Sequence, residues 1–100
     1  MNKIIAAALL LVASTGARAQ DATVTIKNFM FSMDTTITAG STVTWKNMDG
    51  EPHTVASLDG LFRSKALDTG DSYSFKFDHP GVFKYICSIH PNMKATVTVK

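Results

Sequence analysis

The chain has 100 residues, with ten Lys and Arg against eight Asp and Glu, and a single cysteine. That length allows one domain. The lone cysteine excludes an internal disulfide, and the scattered lysines exclude the basic cluster that marks a nucleic-acid footprint.

The first segment reads as a targeting signal. Lys3 supplies a positive start, Ile4 to Ala13 form an apolar run, and Ala17-Arg18-Ala19 offers small residues at the positions a signal peptidase reads. This pattern predicts a secretory signal peptide over residues 1–19, cleaved after Ala19. The apolar run is too short to span a bilayer, which takes about 20 residues. Export to the periplasm is therefore expected, with no membrane insertion of the mature chain. Loss of Lys3 and Arg18 leaves eight basic residues against eight acidic ones in residues 20–100, so the expected domain is near neutral.

Alternation of period two runs through the rest of the chain. Thr23 to Lys27 turns Val24 and Ile26 to one face. Phe29 and Phe31 follow only after a phase slip at Asn28, which predicts a bulge or bend there. Thr36-Ile37-Thr38 is a short strand, and Ala39-Gly40 turns the chain. Ser41 to Asn47 is a clean strand with Val43 and Trp45 inward. Asp49-Gly50 breaks it, and Pro52 restrains the approach to His53. His53 to Ser57 reads as another short strand, with His53 at its mouth. Leu61, Phe62 and Leu67 are expected to cover one end of the core. Ser72 to Phe77 places Tyr73, Phe75 and Phe77 on one face. Asp78-His79-Pro80-Gly81 is a turn. Val82 to Cys87 and Ala95 to Val99 complete the set. No stretch shows sustained helical periodicity, so six to eight short strands predict an all-β sandwich or small barrel.

The chemistry gathers at Cys87-Ser88-Ile89-His90-Pro91-Asn92-Met93. A thiol, an imidazole and a thioether follow one another at intervals of three, at the end of a strand that can hold the first of them rigidly. A methionine in this position is usually core filler, but its spacing from His90 points to a shared centre. His53, at the mouth of another strand, is the remaining strong donor. Two imidazoles, a thiolate and a weak thioether make the donor set of a blue copper electron-transfer site. In this set Cys87 is the strongest ligand, His53 and His90 are equatorial, and Met93 is axial. A metal would also protect a thiol that is otherwise exposed to oxidation after export. His79 belongs to the far end of the Val82–Cys87 strand and is not expected to be a ligand. Met30, Met33 and Met48 lack comparable spacing.

These residues resemble the cupredoxin family, in particular its small amicyanin-like and plastocyanin-like members. The resemblance runs from Ala39 to Lys100. It is strongest over Pro80 to Met93, whose short Cys-x-x-His-x-x-Met loop is similar to that of amicyanin, and at Pro52-His53. It implies a Greek-key β-sandwich over residues 20–100 with one type 1 copper, cycling between Cu(II) and Cu(I), held by His53, Cys87, His90 and Met93. It implies that Asn47 ties the His53 loop to the ligand loop near Ser88. It also implies an electron carrier, not an enzyme. Its partners would be transient redox proteins such as a dehydrogenase, a c-type cytochrome or an oxidase, docking around His90 and Pro91 with Met48 and Pro52 nearby. Nothing demands an oligomer, and a monomer is expected. The sequence departs from many relatives at Ala95, where they carry glycine. Three other readings stay open: a periplasmic copper chaperone or storage protein, a structural zinc site on Cys87, His53 and His90, and a metal-free β-sandwich binding module.

Overall fold

The computed structural model of the protein describes residues 19–100. The expected signal segment lies outside the described residues, apart from Ala19. Eight strands follow in order: β1 (Ala22–Lys27), β2 (Met30–Phe31), β3 (Thr35–Ile37), β4 (Ser41–Asn47), β5 (Ala56–Ser57), β6 (Ser72–Phe77), β7 (Gly81–Ile86) and β8 (Lys94–Val99). They form two four-stranded sheets, ordered β2-β1-β4-β6 and β3-β8-β7-β5. β1 runs parallel to β4 and β3 parallel to β8, while every other pairing is antiparallel. The result is the all-β sandwich that the alternation predicts.

The alternation decides which side chains meet between the sheets. Val24 and Ile26 of β1, Val43 and Trp45 of β4, and Phe77 of β6 face Ile37 of β3, Tyr85 of β7, and Val97 and Val99 of β8. Trp45 lies at the middle, stacked on Phe62 (ring centroids 5.6 Å apart) and edge-on to Tyr85 (5.4 Å). Large aromatic side chains supply much of the apolar burial a small domain needs. Gly40, at φ 96°, makes the turn into β4, a backbone region that glycine enters without steric cost. Its N–H donates to the Phe77 carbonyl at 2.6 Å.

Three local expectations change. The slip at Asn28 is a two-residue hairpin turn and not a bulge: Lys27 pairs with Met30 across Asn28 and Phe29. Both turn residues have positive φ, 54° and 58°. Asparagine tolerates this region, but a phenylalanine there costs about 1–2 kcal/mol. The expected strand from His53 to Ser57 shrinks to β5. His53 instead forms an isolated bridge with Leu67, because the 61–67 segment supplies its hydrogen-bonding partners. Phe62 and Leu67 cap the core as expected, whereas Leu61 is exposed.

Candidate metal centre

The ends of β4 and β7 and the loops beyond them converge at one end of the sandwich. Cys87 follows directly on β7 and is fully buried. The chain then folds into consecutive turns. The His90 N–H donates to the Cys87 carbonyl (3.1 Å), the Met93 N–H to the His90 carbonyl (2.9 Å), and the Cys87 N–H back to the Met93 carbonyl (3.1 Å). The three-residue spacing thus has a backbone cause: each step closes one turn. Pairing of Ile86 with Lys94 then starts β8. Ala95 is buried in that strand and, unlike Asn28 and Phe29, has no positive φ, so the backbone there makes no demand for glycine.

His53 arrives from the other side. Its N–H donates to the Leu67 carbonyl (3.1 Å), and the Leu67 N–H donates to the His53 carbonyl (2.7 Å). The ring is fully buried. Its Nδ1 lies 3.7 Å from Cys87 Sγ, and His90 Nδ1 lies at the same distance from the sulfur. The donor atoms of all three residues fall within 4.8 Å of one another. Bonds of about 2.3 Å to sulfur and 2.0 Å to nitrogen, opened by about 120°, place sulfur and nitrogen about 3.7 Å apart. The observed distances therefore fit one shared metal ion. Met93 is buried on the same loop. His79 stays in the β6–β7 turn, outside this group, and Met30, Met33 and Met48 are exposed.

The electrostatics favour a thiolate. Burial pushes the Cys87 thiol up, but the hydrogen bond from the Thr54 N–H and the contacts with the His53 and His90 imidazoles outweigh it and bring it down to about 6. The Thr54 N–H lies 3.3 Å from Sγ.

Three supporting residues carry no sequence signal for their roles at the site. Thr54 Oγ1 accepts the Ser88 N–H at 2.7 Å and lies 2.7 Å from Ser88 Oγ. This is the tie between the two loops that the family resemblance assigns to Asn47. Asn47 instead braces the His53 loop from within. Its Nδ2 donates to the carbonyls of Glu51 (2.9 Å) and Leu67 (2.8 Å), and its Oδ1 accepts the Asp49 N–H (2.9 Å). Asn47 ends β4, and its side-chain hydrogen bonds go to this loop and to Leu67, not to Ser88. Asp49 sits inside the loop. Its Oδ2 meets His53 Nε2 at 2.9 Å and also accepts the Phe29 N–H at 2.9 Å. The Phe29 bond and the contact with His53 hold the Asp49 carboxyl at about 2, against the opposing effect of burial. An ionised carboxylate on Nε2 orients the ring and leaves Nδ1 facing the sulfur. The third is Phe29, whose ring lies edge-on to both imidazoles. Sequence gives no local signal for these contacts, because the partners lie 20 or more residues apart for Asp49–Phe29 and Thr54–Ser88.

Two imidazoles, a thiolate and a buried thioether on a small β-sandwich form a group like a type 1 copper site. Fold and site together define a small blue-copper-type protein. The chain belongs to the cupredoxin-like family: residues 3–99 match its cupredoxin-like domain. It is 32% identical to amicyanin of Paracoccus versutus over 122 aligned positions, covering 97% of this chain and 92% of that protein. It is 41% identical to amicyanin-alpha of Methylorubrum extorquens over 69 positions, covering 64% of this chain and 58% of that protein. The chain therefore spans less than two thirds of the latter. Among solved structures, a purple cupredoxin from Nitrosopumilus maritimus superposes with a TM-score of 0.74 at 37% identity, covering 80% of this chain and all of that one.

Proposed function

We propose that this chain is an electron carrier that holds one type 1 copper through His53 Nδ1, Cys87 Sγ and His90 Nδ1, with Met93 as a weak axial ligand. The observation that carries this reading is the pair of 3.7 Å distances from Cys87 Sγ to the two Nδ1 atoms. Solved amicyanins similar to this chain include a Cu(I) form, which supports cycling between Cu(II) and Cu(I). Every donor residue is tethered. His53 is fixed by Leu67 and Asp49, Cys87 by Thr54, and the 87–93 loop by its own turns. A site that cannot relax far keeps nearly the same geometry in both oxidation states, which lowers the cost of gaining or losing an electron.

His90 is only partly buried and is the ligand nearest solvent. It provides the short exit for an electron. Met48, Ile89 and Phe29 are exposed apolar residues, and with Pro52 and Pro91 they give transient redox partners an apolar contact area around the site. A dehydrogenase as donor and a c-type cytochrome or oxidase as acceptor fit the family, as does a periplasmic location reached through the segment 1–19. The chain passes electrons and transforms no substrate of its own.

Voltammetry of the copper-loaded protein tests this. A reversible one-electron wave with fast exchange supports the carrier. Sluggish, irreversible electron exchange with ready handover of copper to a second protein would replace it with a copper-handling role.

A further inference from the structure

Among the described residues, Asn28 and Phe29 are the non-glycine positions with positive φ. They form the two-residue turn between β1 and β2, a turn type whose second central position ordinarily takes glycine. Asn28 suits its place. Phe29 does not, and core burial does not explain it, because the residue is 46% exposed. A bulky residue held at positive φ points to a constraint beyond folding.

The contacts of Phe29 supply that constraint. Its ring centroid lies 5.3 Å from that of His53 at an interplanar angle of 89°, and 5.0 Å from that of His90 at 84°. The two imidazoles are themselves 5.0 Å apart. One aromatic ring thus touches both. Asp49 Oδ2 joins the two sides of this arrangement, since the same oxygen accepts the Phe29 N–H and meets His53 Nε2, each at 2.9 Å. The carboxylate that orients His53 also holds the turn that presents Phe29. Phe29 also lines an open cleft of about 190 Å³ with Met30, Phe31, Asn92, Met93 and Lys94.

We infer that Phe29 is a positioning residue for the metal centre: its ring braces both imidazoles in their ligating orientation and keeps water from the side of each that it covers. This rests on the copper reading above. Edge-on aromatic contacts are directional, so one ring placed against two imidazoles limits rotation of both. Excluding water lowers the local polarity and favours the less charged Cu(I) state, which raises the reduction potential.

The test compares wild type with F29G, F29L and F29W, each loaded with copper. Glycine removes the ring and also the backbone penalty, so it separates bracing from folding. Leucine keeps apolar bulk without the ring, and tryptophan restores an aromatic face. The readouts are the Cu(II) electron paramagnetic resonance spectrum, the reduction potential, the rate of copper loss to a chelator, and urea unfolding of the metal-free proteins. F29G is expected to unfold at the wild-type urea concentration or above. It should nevertheless show altered copper hyperfine splitting, a lower potential and copper loss about tenfold faster. F29W should return all three towards wild type. If F29G is itself less stable, F29L carries the same expectations. F29G and F29L proteins with wild-type spectrum, potential and copper retention would overturn the inference while leaving the copper reading intact. An F29W protein that behaves like F29G would also overturn it, since the ring would then not be the acting part. A wild-type protein without a type 1 copper spectrum would remove both.

Discussion

Replacing Asn47 by alanine should be among the most damaging single changes in the loop that carries His53. Asn47 is fully buried at the end of β4. Its side chain makes three hydrogen bonds, to the Glu51 and Leu67 carbonyls and from the Asp49 N–H, all between 2.8 and 2.9 Å. At about 1 kcal/mol net for each, their loss costs about 3 kcal/mol. The Leu67 carbonyl keeps the His53 N–H as a partner. The Asp49 N–H loses its acceptor, which adds about 1 kcal/mol. A total of about 4 kcal/mol is a large share of the 5–15 kcal/mol that holds a typical domain together. It corresponds to a fall of roughly 20 °C in Tm for a domain of this size. Urea unfolding of the metal-free Asn47→Ala protein, followed by Trp45 fluorescence, measures it. Asn47→Asp is the sharper variant, since it keeps the acceptor for the Asp49 N–H but turns a donor to two carbonyls into a carboxylate. It should be at least as unstable as the alanine protein. An Asn47→Ala protein within about 1 kcal/mol of wild type would refute the reasoning, because the three bonds would then be replaced by water at little cost.

Thr54→Val should destabilise the metal-free protein by about 1–2 kcal/mol in urea unfolding, since the Ser88 N–H loses its acceptor, while Thr54→Ser should stay close to wild type. Cys87 is held at about 6 against an ordinary 9.0, so its stabilising effect on the metal-free fold is complete above pH 9 and is lost as the pH falls towards 6. The urea midpoint of wild type relative to Cys87→Ala should therefore rise from pH 6 to pH 9, and a difference that is flat across that window would contradict the assignment. Burial pushes Tyr85 up to about 12 from 10.0, so the folded state favours the neutral phenol and this contribution fades as the pH rises through 10. Its hydroxyl has no hydrogen-bond partner among the described residues. Tyr85→Phe should accordingly match or exceed wild type by up to about 1 kcal/mol at pH 7 and lose less stability in alkali, as read by thermal unfolding.

What the sequence reveals and what it hides divide along contact range. β4 appears as read, Ser41–Asn47, because one face is buried and the other wet, which produces strict alternation. The ligand loop is legible because its spacing of three reflects turns closed within the loop itself. β5 is misjudged in length because β-prone residues at His53 to Val55 bond instead to the 61–67 segment, a choice made by tertiary packing. The parallel pairing of β1 with β4 leaves no mark in a period-two pattern. Asp49 looks like an ordinary turn residue beside Gly50, and Thr54 like an ordinary strand residue. Their roles come from partners on other loops, Phe29 and Ser88. Phe29 is the clearest case: its local sequence shows a phase slip at Asn28 and then a spacing of two to Phe31, and only the fold brings its ring to two histidines.

The proposed centre holds one type 1 copper on His53, Cys87, His90 and Met93. The visible absorption spectrum of the oxidised, copper-loaded protein, recorded beside a Cys87→Ser control, tests it most directly. An intense thiolate-to-copper band at one copper per chain, lost in the control, is expected. One-to-one copper binding without that band, or a band that survives loss of the Cys87 sulfur, would contradict it.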